Sequence, residues 1–270
     1  ATGHYARVVH GDPGRGEPHR LFRAVDQRKD QSYVLYTMSQ EQLGYIQFPL
    51  GGLTKPEVRQ LARAFGLPVA DKAESQEICF VGNRSYADFV SARRPDVTRP
   101  GDIVTTDGKV IGQHRGLVHH TVGQRRGIGI AAPRPYFVLQ LRTKENQLVV
   151  GSREQAEARS VNIHTVSMTS GEWPVAPFDV SAVVRYRGVP VDATVIPGER
   201  DTREMRAIFH GDSGPVASPG QAIVFYRGDE VLGGGTIFEV QRRDAAGDVN
   251  PGNRTSVAAG EQLVARNVRE

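Results

Sequence analysis

The residue best suited to covalent chemistry is Cys79, the single cysteine of the chain. It lies between Ile78 and Phe80, directly after the polar run Ser75-Gln76-Glu77. A thiolate nucleophile needs partial access to solvent and a lowered pKa, and the polar run favours such a setting. A cysteine between two apolar side chains is also typical of a buried core thiol. From its neighbours alone, Cys79 is either a sulfur nucleophile or a core residue.

A second group of candidates lies in the glycine-rich segment 121–129, which contains Gln124, Arg125 and Arg126. Such a loop can follow a phosphate backbone closely, and its arginines supply charge. Between Lys109 and Ser160 there are nine Lys/Arg and three Asp/Glu, a local balance of 9 − 3 = +6 in a chain of net charge +4. The remainder is therefore slightly acidic, at 4 − 6 = −2. This distribution favours a polyanion-binding surface, although a solvated basic face would give the same count.

Composition narrows the class of protein. With 270 residues, of which 39% are hydrophobic and 24% charged, the chain is typical of a globular protein of two or three domains. One cysteine excludes an internal disulfide and a Cys-rich zinc site, and we predict no metal ligands. Because there is neither a secretion leader nor an apolar run near the about 20 residues of a membrane helix, we expect a cytoplasmic protein without membrane contact.

Three successive regions are expected to position these candidates. Residues 1–98 mix strands and helices, and the clearest helix is predicted over Leu53–Phe65, with Thr54 as N-cap and Gly66 after its end. Its apolar stripe consists of Val58, Leu61, Ala62 and Phe65. Residues 99–160 are predicted to form a small β-rich domain, 161–243 a small antiparallel barrel, and 244–270 a disordered tail. The predicted strands are 6–9, 21–25, 103–105, 110–112, 137–142, 147–151, 180–186, 193–196, 204–209, 222–226 and 236–240.

Several strings of residues, in the same order along the chain, resemble the tRNA-specific 2-thiouridylase family from Ala1 to about Val240. They are ATGHYAR at 1–7, KDQSYVLY at 29–36, SQEICF at 75–80, GQHRG at 112–116 and TVGQRRGI at 121–128. The resemblance implies an α/β fold for residues 1–98, as the carboxy-terminal part of a PP-loop ATP pyrophosphatase-like domain. It implies that a preceding portion, with an SGGxDS-like phosphate loop and a second cysteine, belongs to the whole protein.

The resemblance also implies a reaction. Cys79 would receive sulfur as a persulfide and deliver it to C2 of the wobble uridine, which ATP activates by adenylation, with Mg²⁺ as counter-ion of the ATP. A second cysteine would then release the sulfur by forming a transient disulfide. The implied partners are tRNA and a persulfide sulfur-donor protein, and we expect a monomer.

Site residues follow from the same resemblance. Gly3 would lie near the nucleotide, although a strand-end turn would also explain it. The residues implied to contact tRNA are His4, Lys29, Asp30, Gln31, Arg185, Tyr186 and Gln221, to which the basic loop adds Gln124 and Arg125. If the strand 180–186 is regular, Arg185 and Tyr186 lie on opposite faces and only Arg185 meets RNA directly.

Three hypotheses remain open on the sequence. The chain is a portion of a tRNA-modifying sulfurtransferase, an RNA-binding module without catalysis of its own, or an unrelated thiol enzyme that uses Cys79. The collinear strings favour the first. Taken alone, His4 would be an ordinary surface or core histidine, and Gln221 would begin a strand after the turn Pro219-Gly220.

Overall fold

The structure is a computed structural model that describes residues 1–68, 70–71, 86–93 and 98–242. The described chain divides into two compact units, one with residues from 1 to 71 and from 158 to 241, the other with residues from 86 to 157. This grouping cuts across the linear division into 1–98, 99–160 and 161–243, whose boundaries stay a prediction. The predicted tail, 244–270, lies outside the described residues.

A closed six-stranded antiparallel barrel forms the carboxy-terminal part of the first unit and confirms the predicted barrel. Its strands follow the spatial order β12-β11-β8-β9-β10-β7, and a further pairing of β12 with β7 closes the ring. The barrel is filled by small and branched side chains, among them Val161, Ile163, Val195 and Ile223. Its strands are β7 Ala158–Met168, β8 Phe178–Val183, β9 Val191–Pro197, β10 Met205–Phe209, β11 Ala222–Arg227 and β12 Glu230–Arg242.

The run Gly233-Gly234-Gly235 lets β12 pass between its neighbours. A Cβ atom at Gly233 would lie 2.3 Å from the Ser167 carbonyl oxygen, and one at Gly235 would lie 2.6 Å from Ile163. Gly233 also has a φ of 151°, which L side chains rarely adopt. Only glycine therefore permits this part of β12 to approach β7 closely enough for the barrel to close.

Two amino-terminal strands extend the barrel sheet at β12. β1 (Ala6–Val9) pairs antiparallel with β2 (Arg20–Arg23), and β2 pairs with the start of β12, where Leu21 lies opposite Val231. A second core cluster lies beneath these strands and joins Ala6, Leu21, Leu43, Phe48, Val183, Val224, Tyr226 and Val231. The amino-terminal segment is therefore part of the same packed body as the barrel.

Short helices connect these strands to the rest of the first unit. They are a 3₁₀ turn at Ser32–Leu35, helix α1 (Gln40–Tyr45) and helix α2 (Lys55–Ala64). Helix α2 confirms the predicted helix, since the Glu57 carboxylate accepts hydrogen bonds from the N–H and Oγ of Thr54, and Gly66 has the expected positive φ of 65°. Asp26 adds a 3.0 Å bond to the Lys55 N–H, which fixes the start of α2.

The apolar stripe of α2 differs from the usual expectation for an amphipathic helix. No side chain of α2 is buried within the described chain, and Leu61 and Phe65 are 43% and 74% exposed. The 3.6-residue period thus predicts the helix correctly, but Leu61 and Phe65 of its apolar face stay exposed within the described chain.

The second unit is built on a four-stranded sheet of order β4-β3-β6-β5, in which β3 and β6 run parallel. Its core contains Ile103, Ile128, Val138, Leu148 and Val150. A tight hairpin at Asp107-Gly108 joins β3 to β4, with a φ of 84° at Gly108. The elements are α3 (Tyr86–Ser91), β3 (Gly101–Val104), β4 (Val110–His114), β5 (Phe137–Arg142), β6 (Gln147–Gly151) and α4 (Arg153–Ala156).

Candidate nucleic-acid interface

Cys79 and the polar run before it lie outside the described residues, so its role as sulfur carrier stays a prediction. The residues predicted to contact tRNA and nucleotide lie within the described part of the chain. In the first unit they come from four separate segments of the chain, and in the second from one loop.

Asp30 lies at the centre of a buried hydrogen-bond network. Its side chain is 7% exposed. Oδ1 accepts from the N–H groups of Ala24 and Ser32 at 3.0 and 3.2 Å, and Oδ2 accepts from the Ser32 hydroxyl at 2.9 Å. An Arg23 guanidinium nitrogen lies 3.4 Å from Oδ2. Because protein donors fill its acceptor sites, Asp30 chiefly fixes the loop that carries Lys29 and Gln31.

Tyr226 of β11 joins this network to the barrel. Its hydroxyl lies 3.3 Å from Ser32 Oγ, and the Arg23 guanidinium stacks 3.7 Å from the centroid of its ring. Burial raises the pKa of Tyr226 to about 12, so the phenol stays protonated at neutral pH. The loop after β2 is therefore anchored to the barrel wall through Ser32, Arg23 and Tyr226.

Gln31 connects the same loop to the start of the chain. Its Oε1 accepts from the Tyr5 N–H at 3.0 Å, and its own N–H donates to the Tyr5 carbonyl at 2.8 Å. His4, the residue before Tyr5, bonds Thr2 Oγ1 through Nδ1 at 2.8 Å and meets the Phe48 ring edge-on. His4 and Gln31 thus lie on two backbone segments that are hydrogen-bonded to each other.

Gly3 is exposed, and its environment does not require a glycine for steric reasons. A Cβ atom there would meet only Leu50 Cδ1, at 3.8 Å. The backbone at Gly3 is consequently accessible to a ligand, which is compatible with the predicted approach of a nucleotide. Its role there stays a prediction.

Tyr33 links the loop to two further segments. Its hydroxyl donates to the Ala222 carbonyl at 2.7 Å, and its ring centroid lies 6.1 Å from that of Tyr186. Burial, together with the neighbouring phenols Tyr36 and Tyr226, raises its pKa well above the usual value. Tyr33 therefore brings the segment 29–36 next to Tyr186 and next to the residue that follows Gln221.

Arg185 and Tyr186 lie in a turn rather than on a strand. β8 ends at Val183, and the Gly188 N–H donates to the Arg185 carbonyl at 2.8 Å. The opposite-face argument for a regular strand therefore does not apply, and both side chains are exposed. The strand ends before this pair, which is the condition under which both residues can reach one ligand.

Gln221 follows the expected turn, in which Gly220 has a φ of 84°. Its Oε1 accepts from the Ser218 N–H at 3.1 Å, and its backbone carbonyl accepts from the Ile237 N–H at 2.8 Å. β11 begins one residue later, at Ala222. Gln221 thus closes the turn between Ser218 and β11 with its own side chain.

In the second unit, Gln124 shapes the basic loop. Its Oε1 accepts from the Thr121 N–H at 2.9 Å and its Nε2 donates to the Arg126 carbonyl at 2.7 Å. Positive φ values of 85°, 73° and 84° at Gly123, Gly127 and Gly129 complete the loop. Arg125 and Arg126 are exposed on it, so the loop presents cations on a backbone that is fixed from inside.

Two buried histidines lie in the same unit. His114 accepts from the Gly116 N–H at Nδ1 and contacts the Asn146 carbonyl through Nε2, at 3.0 and 3.1 Å. Its ring meets that of His120 edge-on, with centroids 5.9 Å apart. His120 Nδ1 is buried without a hydrogen-bond partner in the described chain. Burial, and secondarily the adjacent positive groups, lower its pKa below 6.5.

Sequence reasoning did not single out Tyr33, Ser32 and Tyr226, which hold the predicted residues in place. The first two lie within KDQSYVLY, but nothing in that string shows that Tyr33 reaches β11 across 222 − 33 = 189 residues of chain. Tyr226 carries the ordinary strand pattern of a core residue.

No group of three His, Cys, Asp or Glu suited to a metal ion occurs among the described residues. A helix long and apolar enough to cross a membrane is likewise missing from the described part of the chain.

Three domain families match successive parts of the chain. Residues 1–83 match a tRNA methyl transferase HUP domain, 87–152 a tRNA methyl transferase PRC-barrel domain, and 158–237 an aminomethyltransferase β-barrel domain. Together with the observed sheets, these matches confirm the predicted fold class: a partial α/β domain, a β-rich middle domain and an antiparallel barrel.

Three similar proteins carry the same name. The tRNA-specific 2-thiouridylase MnmA of Herpetosiphon aurantiacus is 44% identical over 237 residues, which cover 88% of this chain and 64% of that protein. The proteins of the same name from Roseiflexus sp. and Carboxydothermus hydrogenoformans are 44% and 42% identical, covering 88% of this chain and 66% and 64% of their own lengths. The chain thus spans slightly less than two thirds of these relatives.

Proposed function

The chain belongs to the tRNA-specific 2-thiouridylase family, and on that premise we propose that the whole protein is a tRNA-uridine 2-sulfurtransferase. Cys79 carries sulfur as a persulfide, whose terminal sulfur forms the new bond to C2 of the wobble uridine. The bond between C2 and its oxygen breaks in the same exchange. The bond between that sulfur and Cys79 Sγ then breaks when the thiolate of the second cysteine attacks Sγ and forms the transient disulfide. ATP, with Mg²⁺ as its counter-ion, supplies the activation, since adenylation of that oxygen makes AMP the leaving group and releases pyrophosphate.

The observation that carries this proposal is the convergence of the predicted tRNA-contacting residues around Tyr33. Its hydroxyl bond to Ala222 and its ring contact with Tyr186 join segments that lie far apart in the sequence. Gln31 adds the chain near His4 through its bonds to Tyr5. A contact surface for a large ligand requires residues from distant parts of the sequence to lie together on one unit.

Each residue of this surface suits a different part of RNA. Lys29 and Arg185 supply positive charge to phosphates, and Tyr186 offers an exposed ring for base stacking. The side-chain oxygens of Gln31 and Gln221 accept protein donors, which leaves their amide nitrogens to donate to RNA oxygens. Asp30 acts by fixing the loop, because its oxygens already accept bonds from within the protein.

The second unit contributes the basic loop. Gln124 holds the backbone of the loop from inside, and Arg125 and Arg126 are exposed. The net charge of +6 between residues 109 and 160 makes this unit attractive to a polyanion. We propose that the loop binds the tRNA backbone without reading its sequence.

Gly3 is the described residue that would admit the nucleotide. Its exposed backbone has no close neighbour where a side chain would begin, so the adenosine can approach it directly. The protein acts in the cytoplasm as a monomer and takes its sulfur from a persulfide-carrying protein.

A salt titration of tRNA binding tests the RNA-binding part of the proposal. Log affinity should fall linearly with log salt, and alanine at Lys29, Arg125 or Arg185 should each reduce the slope by about 0.7–0.9. Arg15→Ala serves as control, because Arg15 pairs with Asp12 and is not one of the residues predicted to contact tRNA. Affinity that does not change with salt would contradict the proposal.

The sulfur-carrying step is tested in the full-length protein. Cys79→Ala should abolish thiolation of tRNA and labelling of the protein by a radioactive persulfide donor, while tRNA affinity stays within about threefold. If the wild-type protein binds tRNA but never acquires labelled sulfur at Cys79, the protein is an RNA-binding module without this chemistry.

A further inference from the structure

Arg187 is one of four non-glycine residues that have a positive φ within the described chain. The others are Asn146, Thr165 and Arg203, and the φ of Arg187 is 58°. A side chain in this left-handed region is strained, and such strain tends to persist where function requires it. Glycine or asparagine would occupy this position without strain, but neither could make the contacts of an arginine side chain.

Each of the other three residues makes a side-chain hydrogen bond within the described chain. Arg203 donates through Nε and Nη2 to the Val166 carbonyl at 2.9 and 2.8 Å. Asn146 donates to the Pro100 carbonyl at 2.9 Å, and Thr165 bonds the neighbouring His164. Arg187 makes no such side-chain hydrogen bond in the part of the chain that the structure describes. Its strain is therefore not compensated by polar contacts within that part of the protein.

Arg187 also differs from three arginines of the amino-terminal strands β1 and β2. Arg7, Arg20 and Arg23 each pair with a carboxylate, those of Asp229, Glu230 and Asp30 respectively. Among the described residues, no carboxylate pairs with Arg187. An exposed guanidinium without an internal anion retains its full capacity for a bidentate contact with an external one.

The turn directs this guanidinium toward one side of Tyr186. The guanidinium carbon of Arg187 lies 5.3 Å from the centroid of the Tyr186 ring, and the centroid of the Tyr33 ring lies 6.1 Å from that same centroid. The positive φ occurs at the third position of the turn that Arg185 begins and Gly188 closes. Tyr186 is thus in contact with both Tyr33 and Arg187.

We propose that Arg187 is a further tRNA-binding residue, which contacts a backbone phosphate beside a base stacked on Tyr186. This inference rests on the proposed function. A phosphate suits the site better than a protein carboxylate, because the neighbouring groups are a second arginine and an exposed aromatic ring, the combination that binds unpaired nucleotides.

The test uses Arg187→Gly and Arg187→Asn in the full-length protein. Both replacements tolerate the left-handed conformation, so each should raise the melting temperature by about 2–4 °C. Each should also weaken tRNA binding by on the order of tenfold at low salt and reduce the salt slope by about 0.7–0.9. Higher stability combined with weaker binding cannot result from misfolding.

Two matched variants sharpen the result. Arg187→Lys keeps the charge and should keep the salt slope while losing part of the affinity, because lysine lacks the planar fork. Arg200→Gly removes the same charge from an exposed residue without positive φ in the loop at the other end of β9, and should change affinity by less than about threefold.

The outcomes separate the two proposals. If the wild-type chain binds tRNA and Arg187→Gly binds equally well, or if Arg200→Gly loses as much affinity, the role of Arg187 is wrong and the proposed function stands. If the wild-type full-length protein does not bind tRNA, the proposed function fails and the role of Arg187 fails with it.

Discussion

The hydroxyl of Tyr33 donates a 2.7 Å hydrogen bond to the backbone carbonyl of Ala222, at the first residue of β11. Through this bond and the ring contact with Tyr186, one side chain fixes the relative positions of three loops. Tyr33 is therefore expected to affect tRNA binding through its neighbours, as a positioning residue, without touching the RNA.

A double-mutant cycle distinguishes this indirect role from direct contact. Tyr33→Leu and Tyr186→Leu should each weaken tRNA binding about fivefold. The double variant should bind no more weakly than Tyr186→Leu alone, because Tyr33 acts by positioning the stacking surface that the Tyr186 ring provides. Tyr33→Phe keeps the ring and should leave affinity within about twofold, although loss of the bond to Ala222 lowers the free energy of unfolding by about 1 kcal/mol. Additive losses in the double variant would show that Tyr33 contacts RNA itself.

Asp30 should matter more for stability than its position in a ligand-binding loop indicates. In Asp30→Asn an amide N–H₂ would face the N–H groups and the hydroxyl from which the carboxylate accepts hydrogen bonds. Arg23 would also lose the carboxylate with which it pairs. We expect the free energy of unfolding to fall by about 2–4 kcal/mol, measured by urea denaturation.

The control for this prediction is Asp12→Asn. The Asp12 side chain is 58% exposed beside Arg15, so its replacement should cost less than about 1 kcal/mol. Equal losses in the two variants would mean that the buried network around Asp30 does not contribute as the contacts indicate.

His120 should make the second unit sensitive to acid. Its pKa in the folded protein is lowered below 6.5 because the ring is buried, and because His114, His119 and Arg115 lie close by. The unfolded chain therefore binds the proton more readily, so the contribution of His120 to stability is present above pH 6.5. It is lost progressively as the pH falls from 6.5 through the folded-state pKa.

Urea denaturation at pH 7.5 and pH 5 measures this loss. His120→Phe should reduce the difference between the two pH values, because phenylalanine does not titrate and suits a buried site. His10→Gln, at an exposed position of the first unit, should leave the difference as in the wild type. An unchanged difference in His120→Phe would assign the acid sensitivity to other groups.

The bounds of some strands were predicted well from the sequence, and those of β7 and β12 were not. β5 and β6 begin and end at the predicted residues, although the register of β5 shifts between Val138 and Gln140. The sequence pattern did not predict β7. The positive φ of 51° at Thr165 interrupts the alternation, so the buried residues Ile163 and Val166 are three positions apart instead of two. β12 begins at Glu230, six residues before the predicted start at Thr236. Glycines such as those at 233–235 disfavour a strand, and here they occur because neighbouring backbone and side chains approach closely.

The candidate site shows a similar division. Resemblance to a family supplied residues such as Lys29, Arg185 and Gln221, but their arrangement depends on contacts between distant parts of the chain. The strained φ of Arg187 and the reach of Tyr33 arise from packing. Sequence patterns within a short window carry no information on either.

The pairing of β2 with β12 also has a consequence for synthesis of the chain. Leu21 meets its strand partner Val231 across 231 − 21 = 210 residues, so the amino-terminal strands leave the ribosome long before the edge that receives them exists. The second unit, whose contacts are more local, can fold in the meantime, and closure of the first unit comes last. Until then Leu21 and its neighbours stay exposed to chaperones and proteases, and nascent chains that stop before β12 should be degraded rather than accumulate.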